Sequence, residues 1–98
     1  MAWTYILESE KLNKYYIGAC HKKLNDRVLA HNSGKYGSQR FTSQTSDWKL
    51  ILRLECEDYA HSIRLERKIK SMKSRKYIQN LLKYEDMRQR VIKQTRDI

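Results

Sequence analysis

The chain has no proline, only three glycines, two cysteines and a single phenylalanine. With proline absent and apolar residues at 40%, it is neither collagen-like nor composed like a disordered segment. No apolar run approaches the roughly 18 residues of a membrane span. The start, Met1 to Lys11, lacks a basic stretch followed by an apolar one, so no secretory leader is expected and the chain is expected in the cytoplasm. Cys20 and Cys56 stand far apart with no C-x-x-C pair, and in a reducing compartment they read as small buried apolar residues. Cys20-His21 and Cys56 with His61 could supply four zinc-type ligands. Neighbours on a strand point to opposite faces, so Cys20 and His21 could not easily share a metal, and zinc is not expected.

Acid is the scarce charge. Eleven Asp and Glu against twenty-one Lys and Arg leave a net +10 in 98 residues. This length makes one domain with a thin core, here a core of about 3–82 with a helical extension over about 83–98. A small domain keeping so large an excess of one sign usually meets a polyanion, and nucleic acid is the first candidate. A membrane surface fits less well, because the basic segments lack a Trp/Phe/Leu-rich opposite face.

Trp3 to Glu8 and Tyr15 to Cys20 are β-favouring runs around the polar segment Ser9 to Lys14, which predicts a hairpin. Asn25 can cap a short helix towards Asn32, with Gly34 at its end. Lys35 to Asp47 has no period and reads as a loop long enough to suspect function. Trp48 to Cys56 predicts a third strand, Asp58 caps a helix from Tyr59 to Met72, and Ser74 caps a last one from Arg75 onward. In that last helix Tyr77, Ile78, Leu81, Leu82, Tyr84, Met87 and Val91 keep one helical period. The expected fold is α/β (α+β), a three-stranded, largely antiparallel sheet flanked by helices in the order β-β-α-β-α-α.

Three groups of side chains could carry chemistry. Glu66 is the only carboxylate between Tyr59 and Tyr84, among eight Lys and Arg, and on a helix it falls between Ile63 and Ile69, inside the apolar arc. An inward carboxylate costs several kcal/mol unless something positive meets it. A structural ion pair with a neighbouring Arg, or a helix rotated to let Glu66 reach solvent, would also account for it. Arg27 and His31, four apart on one helix face, could offer a fork for phosphate oxygens and a proton carrier near neutral pH, or simply a surface Arg and a His at a helix end. Tyr5 and Tyr16, on the two hairpin strands, could be neighbours on one face with their hydroxyls side by side, or core rings. Trp3, Trp48 and Phe41 read as packing, not stacking platforms.

Taken in order, these residues resemble GIY-YIG endonuclease domains over most of the chain, from Trp3 to about Leu82. Trp3-Thr4-Tyr5 stands where the family has Gly-Ile-Tyr, and Tyr16-Ile17-Gly18 is the second tripeptide intact, 11 residues on by tyrosine count. Leu24 to Asn32 looks like the family's arginine helix, with Arg27 and His31 in register, and the helix Ala60 to Met72 carries Glu66 at the matching place. The first glycine and isoleucine are replaced by Trp3 and Thr4, a lysine that some members carry after the second tripeptide is Ala19, and Asn80 is the candidate for the family's downstream asparagine. These departures imply an activity that is weak or narrow in substrate. In size the chain is similar to short stand-alone bacterial members, and to the nuclease domain of the excision-repair incision subunit.

The resemblance implies a hydrolase cutting phosphodiester bonds in DNA, with RNA as another possible substrate. Glu66 would hold one Mg²⁺ or Mn²⁺, and Arg27 would clamp a phosphate oxygen. Tyr16, Tyr5 or His31 would activate water, a tyrosine needing nearby cations because its free pKa is about 10. Lys35, Arg40, Arg64, Arg67, Lys70 and Lys73 would track the backbone, giving salt-sensitive binding. A non-catalytic nucleic-acid-binding module on the same fold is the alternative implied.

Overall fold

A computed structural model describes residues 2–21 and 47–96. The helix expected from Asn25 to Asn32, nearly all of the loop after Gly34, and with them Arg27, His31, Lys35 and Arg40, lie outside the described residues. Among the described residues three strands, β1 (Ala2–Ser9), β2 (Lys14–Cys20) and β3 (Lys49–Cys56), precede three helices, α1 (Tyr59–Ser71), α2 (Arg75–Lys83) and α3 (Glu85–Arg96). The sheet order is β2-β1-β3, and both pairings are antiparallel.

β1 and β2 form the expected hairpin. Its turn closes with Asn13 in the left-handed region at φ 54°, a conformation Asn tolerates better than most residues. Ser9 Oγ donates to Asp47 Oδ1 at 2.6 Å and the Lys11 N–H donates to Asp47 Oδ2 at 3.0 Å, tying the turn to the approach to β3. Alternation then sorts the sheet into two faces. Ala2, Ile6, Ile17, Leu54 and Cys56 meet Leu65, Ile69, Ile78, Leu81 and Val91 of the helices in one core cluster. Tyr5, Leu7 and Cys20, with Trp48, form a second cluster edged by Trp3, Tyr16 and Leu50. Between Ile6 and Leu7 the pairing with β3 slips by one residue, because Leu52 faces Ile6 while Leu50 faces Leu7. That bulge lets both Ile51 and Leu52 pack on the helix-side cluster.

α1 starts where Asp58 Oδ1 accepts from the His61 N–H at 2.8 Å, and α2 where Ser74 Oγ accepts from the Tyr77 N–H at 3.1 Å. Among the described residues, the one departure from the expected helices is at Tyr84. Its backbone is extended (φ −115°, ψ 111°), so the single helix expected from Arg75 onward is two. The physical reason is local: Lys83 closes α2 and Glu85-Asp86 open α3, each charge at the helix end whose dipole it suits. Arg88 seals the joint, its Nη1 donating to the Leu81 carbonyl at 2.6 Å and to the Leu82 carbonyl at 3.1 Å. α3 then folds back so that Val91 enters the core and Thr95 is buried. No helix among the described residues is long and apolar enough to cross a membrane.

Candidate active site

Among the described candidates, Tyr5, Tyr16, Glu66 and Lys70 lie on or beside β2, an edge strand, where α1 lies across β1 and β2. Register sets the tyrosines. Tyr5 pairs with Gly18 and Leu7 with Tyr16, so Tyr5 and Tyr16 are diagonal neighbours on one face. Their ring centroids are 6.5 Å apart and tilted by 44°. Tyr5 is fully buried, whereas Tyr16 is only partly so and sets its ring against Trp48, edge-on at 6.3 Å. Trp48 is therefore core packing, in line with its reading from the sequence.

Gly18 is the residue that admits Tyr5. A Cβ built there would lie 2.5 Å from both Cζ and Oη of the Tyr5 ring and 3.0 Å from Cε2. The second tripeptide needs its glycine because the tyrosine of the first lies directly over it.

Thr4, standing where an isoleucine is usual in the resemblance, is fully buried and donates its hydroxyl to the Ser62 carbonyl at 2.7 Å. Ser62 is one turn before Glu66 on α1, so this bond fixes the height of the helix against β1. Glu66 is brought to the edge of β2 with its side chain only 17% exposed. The inward placement follows its position in the apolar arc. Its partner is not an arginine but Lys70, whose Nζ lies 3.6 Å from Glu66 Oε2 and 6.0 Å from the centroid of the Tyr16 ring. One ammonium thus spans the carboxylate and the phenol. Lys70 is half exposed, so this ion pair contributes at most about 1 kcal/mol and its side chain can leave at little cost.

The other expected phosphate contacts differ in their surroundings. Arg67 and Lys73 are exposed. Arg64 turns the other way, its Nε donating to the Thr95 carbonyl at 2.8 Å and its Nη2 to the Arg96 carbonyl at 2.9 Å, so it caps the C-terminus of α3. Asn80 lies in α2, where its backbone carbonyl accepts from the Tyr84 N–H at 2.9 Å.

The zinc-type residues have other work. His61 is buried and its Nδ1 accepts from the Glu57 N–H at 3.2 Å, which assigns the proton to Nε2, facing the Ile92 carbonyl and Thr95 Oγ1, both at 3.0 Å. Cys56 Sγ sits 3.7 Å from Thr4 Oγ1, and burial pushes its thiol pKa up.

For a metal, the donor chemistry at Glu66 fits a hard divalent cation. It offers one carboxylate, partly open to solvent, and Mg²⁺ is commonly held by one or two carboxylates while keeping several waters. No group of three or more His, Cys, Asp or Glu that could hold a metal ion occurs among the described residues.

Signals for the missed features existed but were ambiguous. Lys70 is four residues after Glu66, the spacing of a helical ion pair. Gly18 and Thr4 sit inside the tripeptides, but only the pairing register shows what each one touches.

The family model of the GIY-YIG catalytic domain matches residues 1–79. Neither a curated protein nor a solved structure matches the chain. A match over most of the length places the chain in the GIY-YIG family of nucleases.

Proposed function

We propose that this GIY-YIG nuclease domain is a divalent-metal-dependent endonuclease that hydrolyses phosphodiester bonds in DNA in the cytoplasm. The observation that carries the reading is the meeting of Glu66, Lys70 and Tyr16: a mostly buried carboxylate, an ammonium 3.6 Å from it, and a phenol ring whose centroid is 6.0 Å from that ammonium.

Glu66 would hold Mg²⁺ or Mn²⁺, and such an ion, when bound, supplies charge neutralisation at the scissile phosphate and the leaving oxygen. The chain's own residues do the rest. Lys70 swings from Glu66 to a phosphate oxygen as the substrate arrives, since one ammonium cannot fully serve both. Arg67 and Lys73 hold flanking phosphates, with Lys35 and Arg40 assigned the same part from the sequence. Arg27 supplies the fork for a non-bridging oxygen, and His31 is the second proton carrier.

Between the tyrosines, accessibility decides. Tyr5 is fully buried, so water cannot reach its hydroxyl without a rearrangement, while Tyr16 is partly exposed. Tyr16 is therefore assigned to the attacking water and Tyr5 to holding the Tyr16 ring in place.

The test is cleavage of labelled DNA with Mg²⁺ or Mn²⁺, comparing wild type with Glu66→Gln, Arg27→Ala and Tyr16→Phe. Loss of cleavage by at least about a hundredfold in Glu66→Gln, with binding retained, is the expected result. Equal cutting by wild type and Glu66→Gln would overturn the reading. Binding that ignores EDTA and survives Glu66→Gln, with no cutting by any variant, would instead mark a non-catalytic module.

A further inference from the structure

Beside the Glu66–Lys70 pair lies a shallow groove of about 310 Å³ between β2 and the joint of α1 and α2. Its floor is apolar: Ile17, Ile69 and Ile78, all buried. Its rim is cationic: Lys14, Lys70, Lys73 and Arg75 line it, and no carboxylate does among the described residues. One wall is already ordered. Arg75 lies 4.8 Å over the ring of Tyr15, while its Nη1 and Nη2 donate to the carbonyl and Oδ1 of Asn13 at 2.7 and 3.1 Å.

A shallow, apolar-floored groove, walled on one side by the Arg75 guanidinium stacked on the Tyr15 ring and with cations along its lip, fits a nucleobase with its phosphates outside. It does not fit continuous duplex, whose bases are stacked inside the helix and present only their edges. Lys70 belongs both to the groove and to the Glu66 pair, so the slot is within one side chain of the proposed cutting site.

We propose that this groove takes one unpaired nucleotide of the strand being cut, so that the enzyme acts on single-stranded or splayed nucleic acid in preference to intact duplex. The substrate claim rests on the nuclease reading above, but the groove can be tested without catalysis.

The experiment is fluorescence anisotropy in EDTA with the full chain, using a labelled 20-nucleotide single strand and the same sequence as duplex, over a range of salt. The single strand is expected to bind about tenfold or more tighter. Tyr15→Leu keeps the apolar bulk and removes the ring on which Arg75 is stacked, and is expected to weaken single-strand binding about tenfold with little effect on duplex. Lys14→Gln with Lys73→Gln, both exposed positions, guards against misfolding of the Tyr15 variant and should reduce the single-strand salt slope by about 1.4. Equal affinity for both forms, or equal weakening of both by these variants, would overturn the groove assignment. Strand preference without any metal-stimulated cutting would leave the groove standing and sink the nuclease reading, whereas fast cutting of intact duplex would do the reverse.

Discussion

Gly18→Ala tests whether the Tyr5 ring lies where the site requires it. Taken as backbone chemistry alone, the substitution should help: Gly18 lies inside a strand, and replacing glycine where the backbone allows alanine stabilises by about 0.4–1 kcal/mol through the unfolded chain. The structure reverses that sign. The new methyl would stand 2.5 Å from Cζ and Oη of the Tyr5 side chain, about 1 Å inside ordinary contact, and Tyr5 is fully buried with Leu7 and Trp48 in its cluster. Overpacking of this kind costs about 1–3 kcal/mol. At roughly 4–8 °C per kcal/mol for a domain of this size, a cost of about 2 kcal/mol lowers Tm by roughly 8–16 °C. The assay is thermal and urea unfolding of wild type, Gly18→Ala, Tyr5→Leu and the double variant. Because Tyr5→Leu vacates the space, the double variant should be more stable than the sum of the singles by at least about 1 kcal/mol. If Gly18→Ala melts at or above wild type, or the coupling is within about 0.5 kcal/mol of zero, the ring does not lie over Gly18 and the geometry built on it fails.

Four further outcomes are expected. Burial raises the Cys56 thiol above 9.0 and the Tyr77 phenol above 10.0. The folded state then binds more protons than the unfolded one above those values, so stability is full below pH 9 and falls as pH climbs past it. In urea midpoints measured from pH 7 to 11, Cys56→Ala should flatten the earlier part of the fall and Tyr77→Phe the later part, and unchanged slopes would contradict this. Arg64→Ala, which uncaps α3, should lower stability by about 1–2 kcal/mol and leave the salt slope of nucleic-acid binding alone. Arg67→Ala, at an exposed position, should leave Tm unchanged and reduce the slope by about 1. Deleting residues 85–98 removes buried Val91 and Thr95 and strips His61 of both Nε2 partners. That costs on the order of 3–5 kcal/mol, much of the margin of a small domain, and circular dichroism should show the truncated chain largely unfolded at 37 °C.

The strands were legible because their signal is local. Each is a β-favouring run bounded by polar residues, and the hairpin follows from the short segment between two of them. The inward Glu66 was legible for a similar reason, since helical phase alone puts it between Ile63 and Ile69. What the tyrosines and Gly18 do to one another was not, because their contact depends on the register of two strands and one residue of slip would separate them.

The fate of the basic run turns on a less visible feature. The apolar residues of α2 and α3 recur every three or four positions straight through Tyr84, so the helical period carries across the break. Only the charges mark it, Lys83 before and Glu85-Asp86 after, and such charges are common inside helices too. Yet where the chain turns decides where α3 lies, and where α3 lies decides what Arg64 touches. On an unbroken helix the last carbonyls would point far from α1, and Arg64 would be one more cation of the solvated face. With the chain folded back at Tyr84, the same guanidinium reaches the Thr95 and Arg96 carbonyls. Lys70, about a turn and a half further along α1, meets Glu66 instead, and Arg67 between them stays exposed. Three cations of one composition thus have three different jobs, set by helical phase and by a single residue of extended backbone outside the helix that carries them.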